Sequence, residues 1–182
     1  MAPLGFVHRR LSQTAVLLLC LLAAGPAAAA PADDAVRDEY QVKAAFLFNF
    51  VKFVQWPEAG GPLVIGIVGD SPIEAPLRDA VKGRNAGGRS LQVRRVDPED
   101  DLSAYHVIYI SESEARRTPA LLLRFGRAPV LTVGETVPFL REGGMVRFFV
   151  EQNRVRFQIN AGAADSAGLR INSQLLSLAA GQ

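Results

Sequence analysis

Cysteine and histidine are scarce in this 182-residue chain, and their scarcity removes several kinds of chemistry. The only cysteine, Cys20, lies in the first 30 residues, so the rest of the chain has no internal disulfide and no thiolate ligand. His106 is the one histidine beyond that segment. A typical zinc site needs three or four ligands, and a Ser-His-acid triad would have to use this residue. We therefore expect no metal site and no cofactor, and interpret His106 as a strand-start residue with a backbone partner.

An excess of charge of one sign is also missing. The chain contains 20 Lys and Arg residues against 18 Asp and Glu residues. Arg9 and Arg10 are the only charged residues among the first 30, so the remainder carries 18 charges of each sign. Proteins that bind nucleic acids need a basic patch to neutralise phosphates. The balanced composition argues against a nucleic-acid partner.

Long apolar runs are absent as well, and the one candidate is the ten-residue segment Ala15–Ala24. Crossing a bilayer takes about 20 apolar residues. The run follows Arg9 and Arg10 and precedes the small residues Ala27–Ala30, an order that is typical of a secretory signal peptide. We predict a signal peptide over residues 1–30, export, and one domain over residues 31–182. An N-terminal membrane anchor is the alternative interpretation of the same run.

The sequence lacks the motifs that mark common enzyme sites. Its Gly66-Ile67-Val68-Gly69 segment is not a full dinucleotide fingerprint, and it has neither a phosphate-loop lysine motif nor a G-x-S-x-G elbow. Asp70 and Glu112 follow two predicted strands and would suit acid–base work as a pair. Turn and cap roles account for both carboxylates more simply, so we predict that the protein is not an enzyme.

What is present is an alternation of strand and helix patterns. Asp33–Trp56 is predicted as a mostly apolar helix that ends before Pro57. Short apolar or alternating runs predict strands at 63–68, 91–96, 106–110 and 129–133. Helical segments at 72–81 and 112–125 lie between them, the second with a restart at Thr118-Pro119. This order indicates an α/β sheet with parallel pairs.

The last third of the chain predicts an antiparallel hairpin instead. Met145–Glu151 and Arg154–Asn160 flank a two-residue turn, and setting Glu151 opposite Arg154 aligns three apolar pairs on one face. A short helix over 173–180 follows. The predicted fold class is therefore α/β: a single domain with a mixed, mostly parallel sheet flanked by helices and a C-terminal antiparallel hairpin.

The ends of the parallel strands are the first place to expect a ligand. Open α/β sheets bind ligands at the carboxyl ends of their strands. The residues that follow two strands here would line such a crevice: Gly69, Asp70, Ser71, Ser111 and Glu112. A small-ligand receptor is thus one hypothesis for the function. However, 71–74 and 111–114 also match the capping box, so helix capping is the simpler interpretation.

Two aromatic residues lie on otherwise polar faces and suggest a second kind of site. Phe48 lies on the polar stripe of the first helix, and Phe149 lies among the charged residues of the hairpin. Exposed aromatics close to arginine are enriched in protein interfaces. Burial under a neighbouring element, or stacking of Phe149 on the cross-strand Arg156, is the competing explanation.

The order of several sequence blocks carries a family resemblance. Near its start, the predicted domain contains the block EYQVKAAFLFNFVKFVQWP over 39–57. It continues in order with IGIVGDSP, GRSLQVRR, HVIYIS, PVLTVGE, FLREGGMVRF, NRVRFQIN and AGLRINSQLL. Together these blocks resemble the YfiR family of exported bacterial proteins. The resemblance implies a periplasmic regulatory α/β domain. The best-known members bind the periplasmic sensor domain of an inner-membrane diguanylate cyclase and repress it, which affects cyclic di-GMP signalling, biofilm formation and motility.

The same resemblance sets expectations for the site. It supplies no catalytic residue. We expect partner contacts on the hairpin and the C-terminal segment, around Phe149, Arg156 and Ile171. Members often form dimers, which leaves a homodimer open. Some members carry cysteine pairs that respond to redox conditions, and this chain lacks them after Cys20.

Overall fold

The computed structural model describes residues 32–57, 60–97 and 100–181. The predicted signal peptide lies outside these residues. Within them, no helix combines the length and the apolar character needed to cross a bilayer.

The first helix, α1 (Ala32–Phe53), buries one apolar stripe and ends earlier than the sequence predicts. Its buried residues recur every three or four positions, as one helix face requires: Ala44, Leu47, Phe50 and Val51. The helix was predicted to reach Trp56, but Val54–Gln55 forms a two-residue strand, β1, paired with Arg170–Ile171. The amide of Asn172 donates to the carbonyl of Phe53 at 2.9 Å. Pairing with a distant segment therefore ends the helix before the proline does.

A mixed, mostly parallel sheet forms the centre of the fold, as predicted, and its seven strands in the described chain include a short one at Asn85–Ala86 that was not predicted. In chain order its strands are β2 (Leu63–Val68), β3 (Asn85–Ala86), β4 (Arg89–Arg95), β5 (Val107–Ile110), β6 (Leu131–Gly134), β7 (Val146–Glu151) and β8 (Arg154–Ile159). Their spatial order is β3-β4-β2-β5-β6-β7-β8. The five inner strands are mutually parallel, whereas β3 and β8 pair antiparallel at the two edges. Buried parallel strands explain the continuous apolar runs at 63–68 and 107–110.

Helices cover the two faces of the sheet unequally within the described chain. On one face pack α1, α2 (Glu74–Val81), α4 (Ala161–Ser166) and α5 (Ser173–Leu178), which share a hydrophobic cluster with inward residues such as Ile65 and Phe148. The other face is covered by α3 (Thr118–Phe125) and the short 3₁₀ turn at 102–104, which pack on residues such as Ile108 and Ile110. The result is a single three-layer α/β domain.

The C-terminal hairpin has the predicted register. Glu151 faces Arg154, and the apolar pairs on one face are Val146 with Ile159, Phe148 with Phe157, and Val150 with Val155. Gln152 and Asn153 both have positive φ, as a two-residue type I′ turn requires.

The predicted capping boxes do not form in full, although the Ser71 hydroxyl accepts a hydrogen bond from the amide of Ile73 at 3.3 Å. The first residue of α2 is preceded by Ile73, which makes no side-chain cap, and Glu74 pairs with Arg78 and Arg95. Ser111 precedes a 3₁₀ turn at 112–114 without capping it, because its hydroxyl is 2.6 Å from that of Ser113. The helix restarts at Thr118, as predicted. Arginine partners thus engage Glu74, and the neighbouring Ser113 engages Ser111, in place of the reciprocal box contacts.

Candidate partner-binding surfaces and a buried polar network

The hairpin presents a charged face on the side opposite its buried residues. Side chains alternate along a strand, so Phe148 and Phe157 point into the cluster beneath α1 while their neighbours point the other way. The outward face carries Arg147, Phe149, Glu151, Arg154, Arg156 and Gln158. We call this set the hairpin face. It combines three arginines, one carboxylate and one aromatic ring.

Phe149 lies at the centre of the hairpin face. Its side chain is half-buried and belongs to neither hydrophobic cluster. The guanidinium of Arg147 is 5.1 Å from its ring centroid, so the cation that stacks on it comes from its own strand. Arg156 is its cross-strand neighbour but pairs with Glu151 at 3.1 Å. The proposed stacking of Phe149 on Arg156 is therefore replaced by stacking on Arg147.

Phe48 lies on the other side of the sheet. It is half-buried on α1 and packs against the cluster that also contains Phe50. Two cations flank its ring, with Lys52 Nζ at 5.5 Å and the Arg84 guanidinium at 5.0 Å from the centroid. An aromatic ring between two cations is an amphipathic patch rather than a core residue.

Ile171 takes part in the pairing that ends α1. It is the partner of Val54 in the small β1–β9 sheet, where β9 is Arg170–Ile171, and it packs against the α1 cluster. The four predicted partner residues therefore form two groups, with Phe48 and Ile171 on the α1 side of the sheet and Phe149 and Arg156 on the hairpin face. They do not make one continuous surface.

The predicted ligand crevice brings some of its residues together but is closely packed. Gly69 has a φ of 81°, and a Cβ there would lie 2.6 Å from the Ser111 hydroxyl oxygen. The amide of Asp70 donates to the Ser113 hydroxyl at 3.0 Å. The hydroxyl of Ser71 instead approaches Tyr109, at 3.4 Å. Side chains of the protein itself thus occupy the space between Gly69 and Ser111.

The remaining two crevice residues point elsewhere. The Asp70 carboxylate pairs with Arg95 at 3.1 Å, and Glu112 is exposed on the 3₁₀ turn. A cavity of about 170 Å³ adjoins Gly69, lined partly by Leu102 and Arg117. Small-molecule sites usually measure roughly 300–1,000 Å³. The geometry therefore favours neither the acid–base pair nor a large ligand at this edge.

A buried polar network beneath α1 was not foreseen from the sequence. Lys43 is only 2% exposed, yet its ammonium group lies 2.5 Å from Glu39 and 2.8 Å from Glu135. The hydroxyl of Tyr109 donates to the second carboxylate oxygen of Glu135. Ser71 joins the network through Tyr109. These residues connect α1 to the carboxyl ends of β2, β5 and β6.

Lys43 and Tyr109 keep fixed protonation states at neutral pH within this network. Burial acts to lower the pKa of Lys43, but hydrogen bonds and charges from Glu135 and Glu39 outweigh it and raise that pKa above its ordinary value. Burial, together with the charge of Glu135, raises the pKa of Tyr109 far above its ordinary value. Lys43 is therefore a cation and Tyr109 a neutral phenol. An ammonium group has no lone pair for nucleophilic attack, so the arrangement suits anchoring rather than covalent catalysis.

One sequence signal could have located this network. Lys43 precedes Leu47 by four residues and Phe50 by seven, which places it on the apolar stripe of α1. A lysine there must either leave the stripe or find a buried partner. Glu39, four residues before it, supplies one partner locally, whereas Glu135 lies 92 residues away.

His106 has the structural role that the sequence predicts. Its Nδ1 accepts a hydrogen bond from the amide of Val64 at 3.2 Å, and its carbonyl accepts one from the Trp56 indole at 3.1 Å. A cavity of about 380 Å³ adjoins it at the amino ends of the strands. Arg89 also lines this cavity, but it donates to the carbonyls of Gly60 and Gly61 at 2.5 and 2.8 Å.

Comparison with known families covers nearly all of the described fold. The model of the YfiR/HmsC-like family matches residues 40–180. The chain belongs to this family. The match begins within α1 and extends beyond α5, so it includes the hairpin face, the buried network apart from Glu39, and both groups of predicted partner residues.

Family membership gives the geometry a context. The YfiR/HmsC-like family is regulatory and suggests a periplasmic role in diguanylate cyclase signalling. Lys43 and His106 are both engaged in internal hydrogen bonds. The surfaces of the protein, rather than its buried polar groups, are therefore the natural place to look for its activity.

Proposed function

We propose that this protein is exported to the periplasm, where it binds the periplasmic sensor domain of an inner-membrane diguanylate cyclase and represses the enzyme. The observation that carries the proposal is the family match over residues 40–180. In this view the protein performs no chemistry of its own and controls cyclic di-GMP, and through it biofilm formation, by occupying the cyclase.

The hairpin face is the surface that we assign to the cyclase. Its arginines and aromatic ring have the composition of binding hot spots, in which Arg, Tyr and Trp are enriched and a large ring fills a partner pocket. Arg147 supports this assignment further. It is only partly buried and its guanidinium stacks on Phe149, so a partner carboxylate could pair with it beside the ring.

Phe149→Glu tests the proposal in the producing bacterium. In a strain that lacks the gene, the wild-type protein lowers cyclic di-GMP, and the variant leaves it at the level of the deletion strain. Val137→Glu is the matched control because Val137 is 74% exposed and lies outside the hairpin face. Immunoblots and thermal unfolding establish that both variants are folded and present in equal amounts.

The same strains can also contradict the proposal. Deleting the gene without any change in cyclic di-GMP would contradict regulation of a cyclase altogether. Normal repression by a folded Phe149→Glu variant would contradict only the assignment of the hairpin face. Sedimentation of the purified protein measures whether it acts as a homodimer.

A further inference from the structure

The opposite edge of the sheet from the hairpin is open for most of its length. β4 runs from Arg89 to Arg95, but its outer neighbour β3 pairs only with Arg89 and Ser90. Among the described residues, no strand pairs with the outer side of β4 from Leu91 to Arg95. Five residues of strand span about 17 Å, which is enough for one added strand of ordinary length.

The backbone groups of this edge alternate between partners. The amide of Val96 donates to the carbonyl of Ile67 on β2, so even-numbered residues of β4 face β2. Odd-numbered residues must therefore direct their amides and carbonyls outward. The carbonyl of Val93 agrees with this pattern, since it accepts a hydrogen bond from Arg78 Nη1 of α2 at 3.1 Å.

A shallow groove lies between this edge and α2. Its volume is about 610 Å³. Val81, Leu91 and Val93 give the groove an apolar floor, on which alternate side chains of an added strand could rest. Among the described residues, the polar lining comprises the cations Arg78, Lys82 and Arg94, the amide Gln92, and the anion Asp79.

The charge of the groove determines what fits it. Glu74 pairs with Arg78, which leaves Lys82 and Arg94 against Asp79, and this excess of positive charge favours a negatively charged segment. A second copy of the same edge is disfavoured, because antiparallel pairing of two β4 strands would bring their arginines together. Exposed lysine and arginine on an edge strand oppose self-pairing in this way while leaving pairing with an acidic strand available.

We propose that the outer edge of β4 is a docking site for an extended acidic segment of a partner protein, which adds a strand to the sheet over Leu91–Arg95. Main-chain hydrogen bonds to the outward amides supply the pairing, and apolar side chains at alternate positions of the segment rest on the groove floor. This site lies at the other edge of the sheet from the hairpin face, so it is separate from the surface assigned to the cyclase.

The test uses two short capped peptides and the purified protein. The acidic probe is Glu-Val-Glu-Val-Glu and its matched control is Lys-Val-Lys-Val-Lys. We expect the acidic probe to shift the amide resonances of Leu91, Val93 and Arg95 and to slow their hydrogen exchange, and the basic probe to leave them unchanged. Reversing two groove charges in a Lys82→Glu and Arg94→Glu double variant should weaken binding of the acidic probe by about tenfold or more.

Two further variants separate this proposal from others. An Arg127→Glu and Arg141→Glu double variant removes the same total charge at exposed positions outside the groove and should bind the acidic probe normally. Phe149→Glu should also bind normally, so failure of the cyclase assignment would leave this site intact. The proposal is overturned by equal binding of both peptides, by unchanged affinity in the groove double variant, or by shifts confined to other residues. Shifts that depend on protein concentration alone, with dimers in sedimentation, would identify a second copy as the occupant and also overturn it.

Discussion

The two faces of the β7–β8 hairpin use the same kinds of residue for opposite purposes. Phe148 and Phe149 are adjacent in sequence, yet the first is fully buried and the second is half-buried among arginines. Phe148 and Phe157 form an aromatic cluster with Phe46 and Phe50 of α1, with ring centroids 5.1–6.3 Å apart. The presence or absence of a covering helix, and not the residue type, therefore separates stabilising residues from candidate contact residues in this hairpin.

The sharpest test of this comparison substitutes the two neighbouring phenylalanines. Phe148→Ala should lower the free energy of unfolding by about 3–5 kcal/mol, because it leaves a cavity beneath α1. Phe149→Ala should cost about 1 kcal/mol, since its ring remains partly in water. Urea denaturation followed by circular dichroism measures both values. Equal losses for the two variants would show that the hairpin face is part of the core.

The next largest effect concerns the polar anchor on the α1 face. Lys43→Met keeps the length of the side chain but leaves Glu135 with no cation in a mostly buried position, so it should cost about 3 kcal/mol. Lys52→Met is the matched control on the same helix and should cost less than about 0.5 kcal/mol, because Lys52 is exposed. Thermal unfolding of the two variants provides the comparison. A small loss for Lys43→Met would mean that the network does not hold α1.

The smallest predicted effect is a loss of stability in alkali. Tyr109 and Lys43 both have a pKa that is raised in the folded state, so their contribution is complete below the ordinary values and is lost as the pH rises through the folded values. Above about pH 10, the free energy of unfolding should fall by about 1.4 kcal/mol per pH unit because of Tyr109 alone. Tyr109→Phe should remove that share of the slope. Unfolding curves at several alkaline pH values measure the fall of the free energy of unfolding with pH. The same fall in the wild type and in Tyr109→Phe would contradict the raised pKa of Tyr109.

Local patterns explain why the sheet and the hairpin could be predicted. The apolar runs at 63–68 and 107–110 need no information beyond their own residues, and the two-residue turn at Gln152-Asn153 fixes the register of its strands. The end of α1 could not be predicted in this way, because it depends on pairing with Arg170–Ile171 at the far end of the chain. Length also matters, since a strand of two residues has no recognisable pattern.

The candidate sites were predictable to a smaller extent. Phe149 was identifiable because a single aromatic among charges breaks the alternation of its strand. The packing of Ser113 against Gly69 was not, because it requires knowing how two loops meet. The contact of Lys43 with Glu135 could not be predicted for a similar reason. It forms only once α1 packs on the sheet, because the two residues are 92 positions apart.

The pairing of β1 with β9 has a consequence for the order in which the parts of the protein fold. Residues 54–55 cannot pair until residues 170–171, which lie far along the chain, reach them. Contacts between such distant segments slow folding, because a long loop must close before they form. A chain interrupted before Arg170 would lack the strand that pairs with Val54–Gln55, so the small sheet that follows α1 could not form.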